Sequence, residues 1–227
     1  MTTTLPAIEI ETAPNPDFSI IWMHGLGADG SDFVPVVPEL GLSEDVAVRF
    51  VFPHAPTIPV TINNGYVMRA WYDIVAIDGG ARHADEAGIR ASRDIVRKLI
   101  ERENGRGVPT SRIVLAGFSQ GGAIAYIAGL THPEALAGII ALSTYIPAPA
   151  LLAAEFDPAN RATPVFAAHG TQDGVVPLQL GEQARQALTD LGNPLEWRTY
   201  PMAHSVCLEE ITEIGAWLTA RIGTRAA

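Results

Sequence analysis

The chain has 227 residues, 48% of them hydrophobic and 18% charged, a balance that excludes disorder and suits a single domain over 1–227. A formal net charge of −10 at pH 7 argues against nucleic acid and anionic membranes as partners. No apolar run reaches the ~18 residues of a membrane span, the first six residues lack a leader pattern, and a lone cysteine, Cys207, excludes an internal disulfide. A cytoplasmic location is therefore expected.

Ala7–Glu11 alternates apolar and polar residues, the pattern of a half-buried edge strand. After the turn at 13–17, Ser19–His24 reads as a buried strand. It runs into His24-Gly25-Leu26-Gly27-Ala28-Asp29-Gly30, a loop whose glycines let backbone approach a ligand closely. The Walker pattern and its lysine are missing, so a phosphate loop of that kind is disfavoured. His24 reads as a strand-end residue that holds the loop in place. A short, proline-interrupted helix is expected over 32–40, and a strand over 46–52.

The stretch from Pro53 to about Arg82 holds prolines 53, 56 and 59, the turn Asn63-Asn64-Gly65 and the aromatics Tyr66, Trp71 and Tyr72. Long stretches without regular structure are uncommon unless they serve as lids or binding loops. This one reads as a wall of a substrate pocket. Asp85–Glu103 places apolar residues at 89, 95, 96, 99 and 100 on one helical face, and Gly105 and Gly107 end it.

Ile113–Ala116 is a short branched strand, and the Ala-rich run 122–128 is a helix. Between them lies Gly117-Phe118-Ser119-Gln120-Gly121. This G-x-S-x-G pattern in a strand–turn–helix context is a nucleophile elbow, which lifts a serine hydroxyl out of the top of a sheet. Beyond it come a strand (138–143), a loop with a short helix (147–160), a strand (165–169), a helix (178–191), a strand (195–200) and a closing helix (206–221). Buried strands alternating with helices make an α/β fold with a mainly parallel sheet and helices on both faces. Leu26, Ser119, Asp173 and His204 each follow a strand, so all four gather at the carboxyl edge of the sheet, where such folds bind ligands.

A serine needs a base, and the base needs an acid to set its tautomer. Elbow folds use the order serine, acid, histidine. His204 is the histidine that follows both other members. Among the carboxylates between Ser119 and His204, Asp173 sits in a glycine-flanked turn just past a strand; Asp157 is second. A neutral His204 is required, so activity should rise as pH passes roughly 6–7. Cys207, at a helix start, reads as a small hydrophobe.

His24–Gly30, Phe52-Pro53-His54-Ala55-Pro56, Arg69-Ala70-Trp71-Tyr72-Asp73, Gly117–Gly122, His169-Gly170-Thr171-Gln172-Asp173 and Met202-Ala203-His204-Ser205-Val206 together resemble the phospholipase/carboxylesterase family. That family includes bacterial carboxylesterases and acyl-protein thioesterases. The resemblance spans about residues 7 to 222. It implies an α/β-hydrolase fold, with Ser119, Asp173 and His204 as triad and the backbone N–H groups of Leu26 and Gln120 as oxyanion hole. It also implies that Pro53–Asp73 flanks the acyl pocket, and it is compatible with a homodimer. One departure is Ala203, where the family commonly has glycine; a positive φ there would be strained.

The expected chemistry is two-step acyl transfer without metal or organic cofactor. The expected partner is a small-molecule acyl ester or thioester. Met68, Trp71, Val176, Met202 and Val206 are the candidates for an apolar pocket lining. A carboxylesterase acting on short-to-medium acyl esters is the first expectation. An acyl-protein thioesterase or lysophospholipase is the second, and a non-catalytic ligand-binding protein of the same fold the third.

Overall fold

The structure, a computed structural model, describes residues 5–43, 45–78 and 81–223, without the side chains at 77, 78 and 81–84. The first four residues, read above as free of a leader, lie outside the described residues.

Seven strands form the main sheet. In chain order they begin with β1 (Ala7–Glu11), β2 (Phe18–Met23) and β3 (Val48–Pro53). Two short pairs follow outside the sheet, β4 (Thr57–Val60) with β5 (Tyr66–Arg69) and β6 (Ile74–Asp78) with β7 (Ala81–Ala84). The sheet is completed by β8 (Ile113–Phe118), β9 (Gly138–Leu142), β10 (Val165–Gly170) and β11 (Leu195–Tyr200), in the order β1-β3-β2-β8-β9-β10-β11. Within this sheet β1 runs antiparallel to its neighbour, and the other pairings are parallel.

Parallel neighbours need long crossovers, and helices lie in them: α1 (Glu86–Gly105), α2 (Gln120–Leu130), α3 (Pro149–Glu155) and α4 (Leu178–Leu191), while α5 (Leu208–Ile222) follows the last strand. The strands alternate strictly in what they bury. Ile21, Leu115, Ile139 and Val165 face a core shared with α1, α2 and α4, while Ile20, Val114, Ile140 and Phe166 face one shared with α5. Each face is covered, which is why the central strands read as continuous apolar runs. The expected α/β-hydrolase architecture, a mainly parallel sheet with helices on both faces, is the observed one.

Two expectations change in detail. The helix expected over 32–40 is a 3-10 helix, Val34–Leu40, with a proline in its first turn and Pro38 inside it; Pro38 removes a donor that an α-helix would use, whereas the first-turn position has none to lose. The 53–82 stretch is not structureless. Its β4–β5 hairpin turns at Asn64 and Gly65, both at positive φ (56° and 73°), the conformation that Asn-Gly favours.

Candidate active site

The elbow is built by close backbone contact. Ser119 has φ 55° and ψ −120°, a combination that costs free energy and persists only where packing enforces it. A Cβ on Gly121 would lie 2.2 Å from Met23 O, and one on Gly117 would lie 2.3 Å from the Gly121 carbonyl carbon. Only glycine lets α2 sit this close to β2 and β8. Ser119 N–H donates to Leu142 O at 2.8 Å, and Thr144 Oγ1 donates to Ser119 O at 2.6 Å, so neighbouring β9 and the turn after it hold the serine.

The other two side chains meet it through a continuation of the sheet. Past the ends of β10 and β11, Thr171 N–H donates to Tyr200 O at 2.8 Å and Gln172 N–H to Met202 O at 3.0 Å. This zips the 171–173 turn to the 200–204 loop. Asp173 Oδ1 accepts the N–H groups of Val175 and Val176, both at 2.8 Å. Its Oδ2 lies 2.7 Å from His204 Nδ1, and His204 Nε2 lies 3.0 Å from Ser119 Oγ. An ionised carboxylate only accepts, so Nδ1 carries the proton and Nε2 is left to accept from the serine hydroxyl. Burial pushes the His169 pKa down, against the pull of Val176 O and Asp173. His169 thus stays neutral behind the acid, its Nε2 donating to Val176 O at 2.8 Å.

Across the serine lies the loop after β2. A Cβ on Gly25 would touch Ser119 Cβ at 3.5 Å. His24 is buried, and burial lowers its pKa. Its Nε2 accepts from Ala55 N–H at 3.0 Å while Nδ1 donates to Gly25 O at 2.7 Å. His24 therefore holds the loop. Gly27 N–H donates to Arg69 O and Ala28 N–H to Gly25 O; the Leu26 N–H just before them makes no backbone bond among the described residues. Gln120 is the first residue of α2, so its N–H has no partner within the helix. Two amides thus border a serine that a neutral imidazole can deprotonate. That arrangement can attack a carbonyl carbon and hold the oxyanion that forms.

A cavity of about 220 Å³ opens over the serine, lined by Gly25, Leu26, Ser119, Gln120 and His204 together with Ala28, Asp32, Ile74, Phe118, Tyr145 and Val175. None of the five expected lining residues is in this wall. Trp71 and Val176 are 2% and 0% exposed. Met202 and Val206 pack on the α5 side of the sheet. Met68 is half-buried beside Gly27 and accepts from Asn63 Nδ2 at 3.4 Å. The lining residues outside the expected set include Tyr145 and Val175, which sit in the turns after β9 and after Asp173; their place beyond strand ends was the available signal. Ala203 has no positive φ, so alanine is unstrained there. Asp157, the second candidate acid, caps the 3-10 turn Pro158–Asn160 by accepting from Ala159 N–H. Among the described residues no group of three or more His, Cys, Asp and Glu side chains is placed to hold a metal, and no helix is long and apolar enough to cross a membrane.

Comparison with known proteins bears on the family and the fold. The family model described as phospholipase/carboxylesterase matches residues 6–222. Acyl-protein thioesterase 1 of Neurospora crassa is 44% identical over 96% of this chain and 90% of its own length. The protein of the same name from Mycosarcoma maydis is 40% identical over 89% of this chain and 90% of its own. The crystal structure of Zea mays acyl-protein thioesterase 2 superposes with a TM-score of 0.84 at 25% identity, covering 96% of this chain and 99% of that one. The chain belongs to the phospholipase/carboxylesterase family of α/β-hydrolases and is a hydrolase of acyl esters or thioesters.

Proposed function

We propose that the chain is a serine thioesterase that removes acyl groups from protein thiols and also turns over simple acyl esters. The observation that carries the chemistry is the unbroken chain Ser119 Oγ, His204 Nε2, His204 Nδ1, Asp173 Oδ2, with spacings of 3.0 and 2.7 Å. His204 takes the Ser119 proton as Oγ attacks the acyl carbon. The Leu26 and Gln120 amides receive the oxyanion. The C–S or C–O bond then breaks, His204 returns the proton to the leaving thiol or alcohol, and an acyl-Ser119 ester remains. Water, deprotonated by His204, attacks that ester and frees the acid.

The choice of thioester over short ester reverses the order expected from sequence. It is supported by relatives named acyl-protein thioesterase at 44% and 40% identity. The deciding experiment compares kcat/KM on an S-octanoyl or S-palmitoyl cysteine peptide with p-nitrophenyl esters from C2 to C12. Thioester values equal to or above the best ester support the reading. A preference for C2–C4 esters with negligible thioester cleavage would return the carboxylesterase reading. Ser119→Ala should abolish both activities; retained turnover would remove the nucleophile assignment.

A further inference from the structure

Trp71 was expected in the pocket wall, yet it is 2% exposed and lies behind the cleft. Both of its N–H groups are committed, and each goes to a different half of the oxyanion hole. Its backbone N–H donates to Gln120 Oε1 at 2.8 Å, and its indole Nε1–H donates to His24 O at 2.9 Å. Gln120 returns the contact, its Nε2 donating to Tyr72 O at 2.7 Å. Two residues before Trp71, Arg69 O accepts from Gly27 N–H at 2.9 Å. The stretch Arg69–Tyr72 is thus bonded on one side to the elbow residue Gln120. On the other it is bonded to residues on both sides of Leu26.

These bonds act where the sheet stops. The β2–β8 ladder ends at the pair Met23↔Gly117. Beyond it no strand pairing sets the distance between the Leu26 and Gln120 amides. An oxyanion hole works only if both donors reach one oxygen position at about 2.7–3.1 Å, and displacements near 1 Å are costly. Ser92 Oγ donates to Trp71 O, which ties the bracket in turn to α1.

We infer that Trp71, clasped by the Gln120 side chain, is a positioning residue that sets the spacing of the Leu26 and Gln120 N–H groups. It touches no reacting atom. The inference rests on the reading of Ser119 as nucleophile and of those two amides as its oxyanion hole.

Trp71→Phe keeps most of the buried ring and deletes the indole donor. Gln120→Met keeps the backbone amide and side-chain length but deletes both clasping bonds, and it serves as the second variant if the first fails to fold. The measurements are kcat and KM for p-nitrophenyl butyrate, the pH–rate profile, and Ki for an alkyl trifluoromethyl ketone, whose serine adduct carries an oxyanion. In both variants kcat is expected to fall about 10- to 100-fold with KM within about threefold of wild type. The ketone should weaken by a matching factor, and the acid limb of the profile should stay in place because His204 is untouched. Wild-type kcat and ketone affinity in a folded variant would overturn the inference. So would losses in KM that follow falling thermal stability, since those mark Trp71 as core alone. Absence of turnover in the wild-type enzyme, or full activity in Ser119→Ala, would instead defeat the catalytic reading, and the positioning role would fall with it.

Discussion

Asp173 is held by three donors: the Val175 and Val176 amides on one oxygen and His204 Nδ1 on the other. Asp173→Asn leaves that turn room to form but replaces an obligate acceptor with a group that can present N–H to the imidazole. The ring then favours the tautomer whose Nε2 carries the proton, and Ser119 loses its base. A fall in kcat of about 10⁴ is expected, with a melting temperature within a few degrees of wild type. A stopped-flow assay of the acylation burst reads the step directly. Equal kcat in the two proteins would remove Asp173 from the relay. Ser119, Asp173 and His204, which the structure brings into one hydrogen-bonded chain, could be picked from the sequence because chain order and glycine-flanked turns constrain them strongly. Trp71 and Val176 could not be placed, because apolar side chains look alike in sequence whether they line a cleft or sit behind it.

At the scale of elements, α1 is fastened to the sheet by charge as well as by its apolar face. Glu103, fully buried near its end, accepts from Arg49 of β3 and Ser19 of β2, both at 2.8 Å, and from Arg106 at 3.1 Å. Burial would push its pKa up, but the bonds from Arg49 and Ser19 hold it below the ordinary value. Removing one partner of a buried pair leaves the other charge poorly matched. Arg49→Leu should therefore destabilise by about 3 kcal/mol, read as a lower urea midpoint. Adding Glu103→Gln should recover much of the loss, and a midpoint unchanged in Arg49→Leu would show the pair to be inert. The α1 helix itself was legible from its apolar spacing, and its cap, Asp85 accepting from Ala87 N–H, lies where the pattern begins. The β4–β5 hairpin was not legible. Each of its strands has only four residues and β4 contains Pro59, so neither run is long enough for its pattern to stand out.

For the molecule as a whole, stability against pH depends on buried groups that do not themselves line the cleft: Glu210, His24 and His169. Burial raises the Glu210 carboxyl to about 8; the Cys207 N–H opposes this and Glu213 adds to it. Below pH 4.5, its ordinary value, Glu210 is protonated folded or unfolded and has no effect. Between 4.5 and about 8 the unfolded chain releases a proton that the folded one keeps, so stability falls as pH rises. Glu210→Gln should remove that loss, on the order of 3 kcal/mol at pH 7. Its melting temperature should exceed wild type by a margin that widens from pH 4.5 to 8 and then levels off; a constant margin would contradict this. His24 and His169 act in the opposite sense. Burial lowers both from 6.5, so the stability they contribute is present above pH 6.5 and is lost as pH falls below it.

The sequence by itself determined the alternation of buried strands and helices, the elbow at Ser119, and the order in which Asp173 and His204 follow it. The first two are properties of short stretches, where periodicity and turn chemistry act within a dozen residues, and the third is read from chain order alone. Tertiary structure alone decided the spacing of the Ser119–His204–Asp173 contacts, the lining of the cleft by Tyr145 and Val175, and the placing of Trp71 across the Leu26 and Gln120 loops. The contact between Trp71 and Gln120 joins residues 49 apart in the chain, and that between His204 and Ser119 joins residues 85 apart. Such distances close only when β2, β8, β10 and β11 pair in one register, and no local pattern carries that information.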